Sequence, residues 1–148
     1  MKFPLSWLEE KISHGLSVAE LGERLTLAGL ELESIAQDAK NLIFDIELTP
    51  NRPDCLSVHG IAREVAAITG NAIRDIAVKP IKAEINDTWN VDNVAPEACP
   101  RYCGRIIKDI NIKTVTPTLI KERLVACGGK PINIVVDIIN YVMYEVGQ

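Results

Sequence analysis

The sequence predicts an α+β protein. A small helix-helix-hairpin-helix domain, winged-helix-like in its order, is followed by a connector and the opening portion of a second α+β domain. Three observations carry this. The run Ile43–Gly70 reads as a strand, a polar turn with two prolines, and a helix with a glycine stop. Upstream, Ser17-Val18-Ala19-Glu20 has the form of a capping box. Downstream, periodicity fades after Asn71 and returns as two helical patterns behind Thr116-Pro117 and Asn133. The expected division is 1–70 as the first domain, 71–98 as connector and 99–148 as the start of the second domain.

Pro4 suits the first turn of a helix, with Leu5, Leu8 and Ile12 on one face until Gly15 breaks the pattern. The Ser17 cap starts a helix with Leu21, Leu25 and Ala28 inward and a stop at Gly29. Leu30–Ile35 alternates as a strand, and the six residues Ala36–Asn41 are long enough for a hairpin connection to a second strand, Leu42–Leu48. In that strand Phe44, Ile46 and Leu48 alternate with Asp45 and Glu47. Thr49–Pro53 ends it, because neither proline donates to a ladder. Asp54 is the expected cap of the next helix, with Val58, Ile61, Ala62, Val65 and Ile68 on one face and Gly70 just past its end.

The connector holds a tempting short strand at Ile76–Val78, cut off by Lys79-Pro80. Tyr102–Ile112 reads as a strand. Thr116 is the expected cap of a helix running to Cys127, with Ile120, Leu124 and Cys127 as its stripe and Gly128-Gly129 as its end. Asn133 caps a last helix, in which Val135, Ile139, Val142 and Val146 form a face widened by Val136 and Met143. The β-branched residues make a strand at Ile132–Val136 the competing reading. A helix apolar nearly all round requires burial, and little after residue 100 supplies it, so the second unit is expected to be incomplete.

Composition narrows the function classes. The 148 residues are 47% hydrophobic and 24% charged, an ordinary globular composition. No apolar run reaches membrane-span length, and the N-terminus is not a secretory signal, so a cytoplasmic protein is expected. Cys55, Cys99, Cys103 and Cys127 form no C-x-x-C pair and the two histidines are far apart, which argues against zinc and for reduced thiols; no metal site is expected. No phosphate-cradling glycine loop is present. Charge is uneven: residues 1–70 hold six basic and eleven acidic groups. Residues 101–130 carry Arg101, Arg105, Lys108, Lys113, Lys121, Arg123 and Lys130 against Asp109 and Glu122. That stretch suits either a solvated face, the favoured reading, or a phosphate backbone.

Individual residues divide between chemical and structural readings, and the structural one is favoured in each case. Cys55 and His59 have the spacing of a helix-start thiol and its base, but no third orienting group is in view. Asp45 and Glu47 share a strand face. Arg52 either meets a carboxylate of another subunit or an RNA phosphate, or pins its turn on local carbonyls. Asp137 and Asn140 are read as polar-face groups, and Trp7 and Trp89 as core or interdomain anchors. No catalytic residue is assigned.

The segments MKFPLSWLEEKI, LTLAGLELESI, TPNRPDCLSVHGIAREVAAITG, APEACPRYCGRIIKDI and PINIVVDIINYVMYEVGQ, in this order, closely resemble the N-terminal region of the beta subunit of bacterial phenylalanyl-tRNA synthetases. The resemblance covers nearly the whole chain. It implies a ligase that joins phenylalanine to its tRNA with ATP and magnesium and edits mischarged tyrosyl-tRNA. The implied partners are an alpha subunit, in a heterotetramer of two alpha and two beta chains, and tRNA. No cofactor is implied for this stretch itself, and adenylate formation belongs to the alpha subunit.

The family places an inserted OB-type tRNA-binding domain where AQDAKN stands here, so the resemblance implies that this insert is missing, by excision or by divergence. From about Cys99 the chain looks like the opening of the family's editing domain, of B3/B4 type. A family histidine of the editing pocket would follow Gln148. Lys130 stands where the family has an arginine, keeping charge but not the bidentate fork, and Ile139 stands for a threonine. Lys130 and Asn140 are the editing-pocket candidates. Arg101, Arg105, Lys108, Lys121 and Arg123 are the tRNA-contact candidates. The expectation is a structural fragment, inactive alone. The alternatives are a winged-helix-like nucleic-acid-binding module, against which the acidic first domain counts, and a purely subunit-interface module.

Overall fold

A computed structural model describes residues 1–38, 41–74 and 78–148. It is mixed α and β. The elements are β1 (Lys2–Pro4), α1 (Leu5–Lys11), α2 (Val18–Leu27), β2 (Glu31–Asp38), β3 (Asn41–Glu47), a 3-10 turn (Pro53–Cys55), α3 (Val58–Thr69), α4 (Thr118–Ala126) and α5 (Ile134–Val146). They divide into two compact units. One joins Met1–Ile76 to Ile112–Gln148, and the other is Ala77–Asn111.

The sheet of the first unit is antiparallel, in the order β1-β3-β2. β2 and β3 pair antiparallel, and the pairing continues to Asp38 opposite Asn41, so most of the expected connection is strand. The register shifts between Leu32 and Ser34. β1 has no counterpart in the sequence reading. Three residues ending in proline are too short to show a period, and β1 is held by pairing Phe3 with Phe44, whose rings lie 5.9 Å apart.

The Ser17 capping box forms as expected: Ser17 Oγ accepts from the Glu20 amide, and the Ser17 amide donates to Glu20 Oε2 at 2.8 Å. α3 begins later than expected. Asp54 lies in the 3-10 turn led by Pro53, and Ser57, in extended backbone, is the cap, its Oγ accepting from the Gly60 amide at 3.0 Å. Gly60 is required there, since a β-carbon would sit 2.0 Å from the Asp54 carbonyl oxygen. Gly70 ends α3 in the left-handed conformation, φ +73°.

The core is the predicted aliphatic one. Leu8, Ile12, Leu21, Leu25, Phe44, Ile46, Val58, Ile61, Ala62 and Val65 are fully buried, with Trp7 and Leu30 among them. Each large side chain so buried contributes roughly 1.5–3 kcal/mol. Cys127, from the distant end of the chain, belongs to the same cluster, and Tyr141 and Tyr144 pack against it.

Three sequence expectations are corrected, and a fourth lies largely outside the described residues. The expected strand Tyr102–Ile112 does not form: that stretch has neither helix nor strand, and Ile107 and Ile110 are exposed. Without a partner strand in its own unit, alternation alone does not make a ladder. Of the expected strand at Ile76–Val78, residues 76 and 77 lie outside the described residues, and Val78 is exposed and not in a strand. Thr116 does not cap α4. Pro117 holds the N-cap position without a side-chain bond, and Thr116 donates its hydroxyl proton to Asp137 instead. Trp89 is 82% exposed and anchors no core, unlike Trp7.

α5 is a helix, not a strand, at Ile134–Val136, capped by Asn133 Oδ1, which accepts from the Val135 and Val136 amides. Its orientation differs from the apolar-face expectation. Asp137 is its most buried residue, and Tyr141 and Tyr144 turn inward, whereas Ile138, Ile139, Val142 and Met143 are exposed.

Candidate functional site

Three clusters of polar and ionisable side chains stand out in the first unit. The first is built on the turn after β3. Arg52 donates from Nε to Asp54 Oδ1 at 3.1 Å and from Nη2 to Asp54 Oδ2 at 3.0 Å. The same Nη2 reaches Glu64 Oε2 on α3 at 2.7 Å and Cys55 Sγ at 3.0 Å. The fork bonds carboxylates rather than the local carbonyls considered from sequence, and it fixes the turn against α3. The Arg52 bonds hold the Asp54 carboxyl down to about 2, and the partners raise the Arg52 guanidinium further above its ordinary value.

Asp54, Cys55 and Glu64 bring ligand atoms within 4.8 Å of one another, the spacing of a metal site. The guanidinium already meets all three donors. Burial pushes the Cys55 thiol up to about 11, with the hydrogen bond to Asp54 adding to the shift, so it stays a thiol. The arrangement therefore suits an arginine-centred ionic knot. The structural reading favoured for Cys55 and His59 fits their contacts: Cys55 is turned to Arg52 and Asp54, and His59 Nδ1 is buried without a hydrogen-bond partner among the described residues.

The second cluster surrounds Asp137. Its Oδ2 accepts from Thr116 Oγ1 at 2.5 Å and its Oδ1 from the Ile132 amide at 2.7 Å. These bonds, led by Thr116, hold its carboxyl below the usual carboxylate range. Asp137 is 1% exposed, so it is not the polar-face group expected. It ties the segments before α4 and α5 to the first turn of α5.

The third cluster joins α1 to α4 and α5. The Arg123 guanidinium lies 4.7 Å from the Trp7 ring centroid and 5.9 Å from that of Tyr141. Trp7 and Tyr141 stack at 4.9 Å with an interplanar angle of 27°. Arg123 Nη1 donates to the Tyr141 hydroxyl at 2.7 Å, and Nη2 donates to Glu10. Beside it, Lys11 Nζ pairs with Glu145 Oε1 at 2.5 Å. No local pattern announces this cluster. Its members come from α1 and from α4 and α5, with Arg123 and Glu10 113 residues apart.

The candidates named from sequence are scattered. Arg101, Arg105 and Lys108 are exposed in the second unit, where Lys108 pairs with Asp87. Lys121 is half-buried on α4, and Arg123 is 8% exposed and fully engaged, so it is not a free cation for a phosphate. In the first unit Lys121 and Arg123, with Glu10, Asp38 and Asn41, line an open cleft of about 470 Å³ that mixes both signs of charge. Lys130 is exposed beyond Gly129, and Asn140 is half-buried on α5. No described helix is long and apolar enough to cross a membrane.

Comparison with known proteins adds the family. Residues 98–148 match the model of the B3/4 domain. The phenylalanine–tRNA ligase beta subunit of Nitrosococcus oceani is 44% identical over 120 residues, which is 81% of this chain and 15% of that protein. The Dechloromonas aromatica beta subunit is 50% identical over 111 residues, 75% of this chain and 14% of its own length. The Vibrio cholerae beta subunit is 42% identical over an alignment of 148 residues that takes in 92% of this chain and 19% of the relative. The chain thus spans less than a fifth of the length of these relatives. With matches of this strength across most of its residues, the chain belongs to the phenylalanine–tRNA ligase beta-subunit family.

Proposed function

We propose that this chain is a structural mount within the beta subunit of a phenylalanine–tRNA ligase, and that it catalyses nothing by itself. The observation that carries this reading is how its polar side chains are used. Arg52, Arg123 and Asp137, the ionisable groups most favourably placed for chemistry, each meet protein partners in a closed arrangement. A catalytic base or nucleophile needs an open approach and an unspent partner. In this reading the whole ligase joins phenylalanine to tRNA with ATP and magnesium, and it removes mischarged tyrosine through a domain that begins near residue 99. It works in the cytoplasm as a heterotetramer with its alpha subunit.

Lys130 and Asn140 are proposed as groups near the wall of that editing pocket. Arg101, Arg105 and Lys108, exposed and basic, are proposed as tRNA backbone contacts, with Lys121 in a lesser role. Arg123 is withdrawn from that set by its burial. Deacylation of tyrosyl-tRNA specific for phenylalanine tests the reading: the chain alone should match buffer, and any sustained hydrolysis above buffer refutes it.

A second reading is a winged-helix-like module for nucleic acid. The hairpin β2–β3 following two helices, with β1 completing the sheet, favours it. The charges of α2 and α3 oppose it, since Glu20, Glu23 and Glu64 stand against Arg24 and Arg63. A salt series of binding to tRNA and to duplex DNA separates the two, and tight binding to duplex DNA would favour the second.

A further inference from the structure

We propose that residues 112–148 are an intramolecular ligand of residues 1–74, docked through α1, and that this assembly holds without continuity of the chain between them. The family match begins at residue 98, which sets the α4–α5 pair in a different module from the helices before it. The packing disagrees with that division. Trp7, fully buried on α1, stacks on Tyr141 of α5 and carries the Arg123 guanidinium of α4 over its ring. Glu10 and Lys11, on the same helix, pair with Arg123 and Glu145. Cys127 and Tyr144 join the apolar cluster formed by the first 70 residues. A β-carbon placed on Gly147, past the end of α5, would lie 3.6 Å from Ser57, the cap of α3.

The docked helix pair is otherwise poor in a core of its own. After residue 111, the buried hydrophobic residues are Leu124 and Cys127 alone among those described, too few to fold a helix pair by themselves. The pair is therefore held by what α1 and α3 offer it: an aromatic platform, two opposite-charge partners and an apolar floor. A buried arginine that stacks on one aromatic ring and bonds the hydroxyl of another has the character of an interface hot spot rather than of a surface ion pair.

The segment between the two parts makes the idea testable in the intact chain. Residues 78–111 contain no helix or strand, and Lys79, Lys82, Arg101, Arg105 and Lys108 are exposed along it. Brief trypsin treatment should cut there first. The nicked protein should then elute from a sizing column as one species and resolve into an N-terminal and a C-terminal piece only under denaturing conditions. Separation of the pieces on the native column, or first cuts inside α1 to α5, would overturn the proposal.

A variant assigns the role of the ionic contact. Glu10→Gln removes an exposed carboxylate and leaves the aromatic stack, so the intact variant should keep its helical circular dichroism. Its nicked form should bind its own pieces about tenfold more weakly, the factor expected for one charge-assisted hydrogen bond. An unchanged affinity would overturn the part given to the Glu10–Arg123 contact.

Discussion

Helices α3 and α5 are both strongly apolar, yet they use that character in opposite ways. On α3, Val58, Ile61, Ala62 and Val65 are fully buried, and the exposed side is small or charged. α5 is the more apolar of the two, but it turns Tyr141, Tyr144 and a buried carboxylate inward and leaves Ile138, Ile139, Val142 and Met143 in solvent. Hydrophobic content says how much surface a helix would gain by burying. Where it is buried depends on what its neighbours offer, and α1 offers α5 a tryptophan ring and charged partners rather than an aliphatic groove.

The contrast can be broken most sharply at the two isoleucines. Ile61→Ala, in the core face of α3, should cost ~2–5 kcal/mol, the range for truncating a packed aliphatic side chain. Urea denaturation followed by circular dichroism checks it. Next in size is the α3 cap: Ser57→Ala should cost about 0.5–2 kcal/mol by freeing the Gly60 amide, read from the same melts. On α5, Ile139→Ala should change stability by less than ~0.5 kcal/mol despite deleting the same atoms, because Ile139 is 60% exposed. Equal losses at Ile61 and Ile139 would mean that the exposed face of α5 is covered.

Acid sharpens the role of the turn before α3. The Asp54 carboxyl is held down to about 2 from an ordinary 3.8, first by its bonds from Arg52. A depressed carboxyl stabilises the fold above its unfolded value and loses that contribution as pH falls through its folded value. The stability difference between the native chain and Asp54→Asn should therefore be full at neutral pH, shrink between about pH 4 and pH 2, and vanish below that window. The smallest effect is chemical. An aromatic disulfide reagent at mildly alkaline pH should label exposed Cys103 readily, while Cys55 and Cys127, buried and pushed up to about 11 and about 12, should wait for unfolding.

The sequence was legible where local chemistry decides structure. Ser17 and Glu20 specify each other at close range, Gly70 ends its helix because few other residues tolerate its conformation, and the alternation of Phe44 and Ile46 marks the buried strand face. It was illegible where a partner far along the chain decides. The isoleucines of 106–112 have strand chemistry but pair with no strand among the described residues. Thr116 has cap chemistry, but a buried Asp137 claims its hydroxyl. Arg123 looked like one of several cations for a phosphate, and only the meeting of α1, α4 and α5 shows it enclosed by Trp7, Tyr141 and Glu10. Of the candidate site, the basic residues from Arg101 onward were visible as a charge run, whereas the ionic knot at Arg52 was visible only in part, because Glu64 reaches it from the following helix.

The most direct measurement is native-state hydrogen exchange on the intact chain. If the two parts fold as one unit, the slowest amides of α1, α3 and α5 open together, at the same free energy and with the same denaturant dependence. If α5 instead exchanges well before α3 while α1 stays protected, residues 112–148 are not built on α1, and the account fails.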